Sequence, residues 1–162
     1  MPTIEALALV TNQGSARLAE VLASGKSFRV DHFVLGSNGH TVADPSLAIS
    51  PDPTRTGCYC GPLGADIESI STAGGCSFYG PVDEVTFASP TCPVFRCVAD
   101  PGDATGAVSS LCLLGTIVYS PVPGDPEVGT QFLFAITFFP LKFRTPLYTL
   151  EHEVHSVLYR YY

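Results

Sequence analysis

The order of apolar and polar positions divides the chain into one helical stretch and a series of short strands. Near the start, "IEALALVT" reads as a strand. In "TNQGSARLAEVLASGKS" the apolar spacing becomes four, with Leu18 and Leu22, then Ala19 and Ala23, and Val21 widening the stripe. Side chains four apart share one helix face, so the spacing predicts a helix over about residues 12–24 with that face on the core. Thr11 or Asn12 can cap its start by accepting a free backbone N–H. Gly25 supplies a left-handed stop, with Lys26 near the negative end of the helix dipole.

Beyond Gly25 the pattern alternates. "SFRVDHFVLG" slips phase around Asp31–His32, which predicts a bulged strand, and "GSNGH" reads as a turn. Further strands are expected in "DIESIS", "EVTFA", "CPVFRCVA" and "SSLCLLGTIVYS". Two more are expected in "TQFLFAITFF", which stops before Pro140, and in "LYTLEHEVHSVLYRYY". Asp-Pro steps at Asp44, Asp52, Asp100 and Asp125 disfavour helix and interrupt ladders. The pattern predicts an α+β, mainly β fold: an antiparallel β-sandwich or barrel-like body with one N-terminal helix. The chain of 162 residues suits a single domain, 1–162, with a proline-rich loop at about 43–56 extending from it.

Composition narrows the function classes. Only 14% of residues are charged, which suggests a surface partly covered by partners. A net charge of −7, with no basic cluster, argues against nucleic acid and against an anionic membrane surface. No apolar run reaches the roughly 20 residues that span a bilayer. The first residues lack a basic segment and carry Glu5, so they do not read as a signal peptide and a cytoplasmic start is expected.

Candidate chemistry is sparse. "HEVH" (His152–His155) spaces its histidines three apart in a strand-like segment, whereas the zinc-protease pattern needs four on a helix. "GCSFYG" lacks the nucleophile-elbow spacing and reads as a turn. No phosphate loop and no convergent carboxylate pair stand out, so no catalytic, cofactor or metal residue is nominated and a non-enzymatic role is expected.

Six cysteines remain: Cys58, Cys60, Cys76, Cys92, Cys97 and Cys112. Structural zinc, buried free thiols and disulfides, within or between subunits, are all open readings. Disulfides are favoured, because zinc spacing is poor and no C-x-x-C pair occurs. Cys58 and Cys60 would share a strand face and look to other partners. In the last strand Glu151, Glu153 and His155 form a polar row. The terminal Tyr159, Arg160, Tyr161 and Tyr162 are of types favoured at interfaces.

The stretch "LVTNQGSARLAEVLASGKSFRVDHFVLGSNG" resembles the N-terminal region of phage tail-collar and tail-fibre proteins. Thr11, Asn12 and Gly14 match the family's opening, Leu18, Ala19 and Leu22 its helix, Gly25 the stop, and Val30 to Gly36 the strand and turn. The family's usual Gly-Asp-Gly is replaced by Gly36, Ser37, Asn38 and Gly39. "VGTQFLFAITFFPL" also resembles a segment of phage baseplate or tail structural proteins. The resemblance implies a bacteriophage virion structural protein of the tail, baseplate or fibre attachment, made in the host bacterial cytoplasm. Its implied partners are other virion proteins and further copies of itself in a symmetric assembly. A carbohydrate-binding β-sandwich module, with exposed tyrosines as sugar platforms, is the competing reading.

Overall fold

The computed structural model describes residues 3–37, 39–41, 43–54, 78–99, 106–144 and 150–156. The strands are β1 (Thr3–Val10), β2 (Ser27–Gly36), β3 (Phe78–Pro81), β4 (Glu84–Ser89), β5 (Cys92–Ala99), β6 (Gly106–Tyr119), β7 (Gln131–Arg144) and β8 (Leu150–Ser156). The single described helix, α1, spans Asn12–Ser24. The fold is mainly β and sandwich-like, not a closed barrel.

The strands follow the order β3-β2-β6-β7-β1-β8-β5-β4. β1 joins the two layers. Its residues Thr3–Ala8 pair with β8, while Leu9 and Val10 pair with β7. Every described pairing is antiparallel except β1 with β8, which is parallel. At the other end of the order, the link from β3 to β4 bridges the layers. Val82 N–H donates to the Asp31 carbonyl of β2 (2.9 Å), and Asp83 N–H to the Arg96 carbonyl of β5 (2.8 Å).

The main core lies between the layers. Phe33 and Leu35 of β2, Phe95 and Cys97 of β5, Leu111 and Leu113 of β6, and Phe134 of β7 are all buried there. A smaller cluster of Val34, Cys112, Leu114, Leu133, Ile136 and Phe138 forms on the opposite face of β2, β6 and β7, with Ile49 packed against it. These central strands are therefore buried on both faces, which accounts for their nearly continuous apolar runs.

The proline-rich loop touches that second cluster through Ile49. Across its described residues, 43–54, Ile49 N–H donates to the Gly39 carbonyl (2.9 Å) and Pro53 accepts from Asn12 N–H (2.8 Å). Pro45 accepts from Leu141 N–H (2.8 Å). That last bond is available because β7 runs through Pro140 and does not stop there. Its register against β6 shifts between Val108 and Ser110, and this irregularity accommodates the proline, which has no ladder donor.

The bulge expected in β2 is present, as a register shift between Val30 and His32. Thr11 is the N-cap and Gly25 adopts φ 73°, as expected from their residue types. The helix face differs from the expected one. Gly14 is buried, and Leu18 packs on the core, but Leu22 is 89% exposed and Ala19 and Ala23 face solvent. The reason is the close approach at Gly14. A Cβ there would lie 2.5 Å from the Phe134 carbonyl oxygen, so the seam runs through Gly14 and Leu18 and leaves Val21, 37% exposed, at its margin. Leu22 lies a further 100° round the helix.

Candidate interaction surface

β4 ends the strand order, and no described strand pairs with its outer edge. All of its residues, Glu84–Ser89, are exposed. Unprotected edges present unpaired N–H and C=O groups, and natural edges usually carry lysine, proline or a strong bulge. β4 has one register irregularity, between Phe87 and Ser89, and Glu84 is its only charge. Two of its three odd positions are apolar: Val85 is 46% and Phe87 66% exposed.

Beneath those two side chains a cleft of about 430 Å³ opens between the layers. Leu18, Phe28, Phe95 and Phe134 line it, with Val85 and Phe87 on the β4 side. Phe28 packs edge-on against Phe132 with ring centroids 5.1 Å apart, which fixes the cleft wall. Arg29 is the one charged residue among those lining it.

The helix beside the cleft is clasped by charge. Lys26 reaches Glu127 (2.7 Å) and Asp125 (3.2 Å) in the β6–β7 turn, and Arg17 reaches Glu20 (2.8 Å) and Glu127 (3.1 Å). The Asp125 carboxyl is held down to about 2, first by the Glu127 N–H, then by the Ser120 hydroxyl and Lys26. Lys26 and Arg17 likewise keep the Glu127 carboxyl below its usual range.

A second, polar feature lies at the β2 bulge. Asp31 Oδ1 accepts from the Thr116 hydroxyl (2.9 Å) and lies 2.8 Å from His32 Nδ1. The His32 ring stacks on Tyr79, with centroids 5.0 Å apart and planes at 9°. Gln131 Nε2 donates to the Tyr79 hydroxyl (2.8 Å). A serine–histidine contact also occurs, from His40 Nδ1 to Ser109 Oγ at 2.9 Å. Ser109 is fully buried and its Oγ also accepts the Gly39 N–H, so this contact anchors the 39–54 loop.

Of the residues nominated from sequence, Cys92 is half-buried, and Cys97 and Cys112 are buried; all three are free thiols, so no bond links them to one another. Burial, then the Asp83 charge, pushes the Cys97 thiol far up. Cys58, Cys60 and Cys76 lie outside the described residues, as do Tyr159, Arg160, Tyr161, Tyr162 and the "DIESIS" segment. Glu151, Glu153 and His155 lie on β8, whose backbone pairs with β1 on one side and β5 on the other. β8 is therefore an interior strand, and "HEVH" lies on it. Among the described residues no group of three His, Cys, Asp or Glu is placed to hold a metal ion.

The exposed edge was missed in the sequence. "EVTFA" reads correctly as a strand, but its place at the end of the order depends on pairings far along the chain. The usable signal was its composition, two apolar residues on one parity with nothing basic beside them. "GCSFYG", read as a turn, contributes Phe78 to Gly80 to β3. No protein-family model, no curated protein and no solved structure matches the chain.

Proposed function

We infer that the chain is a structural component of a bacteriophage virion, a tail, baseplate or tail-fibre attachment protein that works through protein–protein interfaces. The observation that carries the interface part is the open β4 edge, with exposed Val85 and Phe87 above an apolar cleft. An apolar edge of this kind is a liability in a free monomer and an asset in an assembly. The virion part is supported by the resemblance over residues 9–39. The elements on which it rests, a Thr11 cap, a helix closed by Gly25 and a strand to Gly36, are arranged in that order. The test is mass spectrometry of purified particles released by the cells that encode the chain. The chain is expected in stoichiometric amount; particles that lack it overturn the virion reading.

A carbohydrate-binding role is the second reading, favoured by one observation. Tyr79, His32, Gln131 and Asp31 combine an aromatic stack with hydrogen-bonding groups on one half-buried patch. Glycan-array binding by the purified chain, lost in Tyr79→Ala, is the outcome that selects this reading over the first.

A further inference from the structure

We propose that β4 is the seam of a two-fold homodimer. In this seam β4 pairs antiparallel with β4 of a second copy, Thr86 facing Thr86 and Val85 of each copy facing Phe87 of the other. The proposal rests on the assembly reading above and names the partner at that surface.

Symmetry restricts the registers available. Directly opposed residues in an antiparallel pair point to the same side of the sheet, and a two-fold axis normal to the sheet keeps each residue on its own side. Opposed residues must therefore share parity. Two centres let five residues of each copy overlap, Thr86 and Phe87. A seam centred on Phe87 sets Val85 against Ser89 and Thr86 against Ala88, across the register irregularity between Phe87 and Ser89. A seam centred on Thr86 places the regular stretch Val85–Phe87 against itself.

The side chains fit that centre. Val85 and Phe87 lie on the parity that lines the cleft. Pairing gives two aromatic–β-branched contacts on that face and a Thr–Thr contact on the other, each of a favourable cross-strand type. The apolar surface now exposed at Val85 and Phe87 becomes shared between copies. Charge does not oppose the seam. Glu84, the only charge on β4, faces Ala88, and the two Glu84 residues stand four positions apart along the strand, roughly 13 Å. That distance exceeds the Debye length of about 8 Å at physiological salt. A second copy thus satisfies the edge, the apolar face and the charge pattern together.

The test uses the full chain in analytical ultracentrifugation, followed by site-directed cross-linking. The unsubstituted chain is expected to sediment at twice its 17.1 kDa mass, and Phe87→Lys at the monomer mass with unchanged circular dichroism. Thr86→Cys is expected to cross-link nearly completely under mild oxidant, because facing Cα atoms in such a pair lie about 4.5–5.5 Å apart. Glu84→Cys should cross-link no more than the unsubstituted chain. A monomeric unsubstituted chain overturns the seam. So does assembly that survives Phe87→Lys, or cross-linking of Glu84→Cys as efficient as that of Thr86→Cys. An oligomer that Thr86→Cys fails to trap sinks the seam while leaving the assembly reading standing. Particle mass spectrometry judges the virion role separately.

Discussion

Thr11→Val separates hydrogen bonding from packing at the joint between β1 and α1. Thr11 is fully buried. Its hydroxyl donates to the Leu133 carbonyl (2.6 Å) and accepts from Gly14 N–H (3.0 Å), while its own N–H donates to the Phe134 carbonyl (2.9 Å). Valine keeps the shape, the β-branch and the backbone bond, and removes only the hydroxyl. The lost cap costs about 1 kcal/mol. Leaving Gly14 N–H buried without an acceptor costs about 1–3 kcal/mol, with which the cap term partly overlaps. The sum is about 2–3 kcal/mol, or roughly 5–10 °C in Tm for a chain of this size. Thr11→Ser keeps the hydroxyl and loses one methyl, about 1 kcal/mol. Urea unfolding followed by circular dichroism should rank the unsubstituted chain above Thr11→Ser, and Thr11→Ser above Thr11→Val, at constant slope. Packing volume alone predicts the opposite order for the two variants. A Thr11→Val protein as stable as Thr11→Ser would refute the reasoning.

Gly14→Ala should destabilise the chain by about 1–2 kcal/mol, because overpacking against the Phe134 carbonyl outweighs the roughly 1 kcal/mol gain in helix propensity; a raised unfolding midpoint contradicts this. Asp125 titrates at about 2, below its ordinary 3.8, so its contribution is complete above pH 4 and disappears as pH falls through 2. Asp125→Asn should flatten that part of the acid-unfolding curve, and an identical curve overturns the assignment. Site-resolved alkylation of the native chain should modify Cys92 faster than Cys97 or Cys112, since the latter two are buried and burial raises the Cys97 thiol. Equal rates at all three contradict the burial pattern.

Local chemistry was legible in the sequence and long-range pairing was not. The Thr11 cap, the Gly25 stop and the β2 bulge at Asp31 each depend on a few adjacent residues, and each is present. Leu22 was assigned to the wrong side because periodicity measures apolar spacing, whereas the buried arc was set by Gly14, a residue with no side chain to register in a hydrophobic pattern. Pro140 did not end β7, because a register shift against β6 and a bond from Leu141 to Pro45 absorbed the interruption. The parallel β1–β8 pair joins segments from opposite ends of the numbering, which no local pattern reports. The candidate surface follows the same rule. β4 is exposed by its place in the order, which depends on pairings far along the chain.

That β1–β8 pair also sets a timetable. Thr3 aligns with Glu151 and Ala8 with Ser156, so β1 waits for a strand far later in the chain before its ladder can close. Such distant pairing is slow, of the order of milliseconds to seconds even in a finished chain. Because β8 also flanks β5, and β5 carries β4, the layer that bears the exposed edge is completed only once β8 has been made. Nascent chains crowded on one message would thus carry β4 and β5 before the strand that completes their layer.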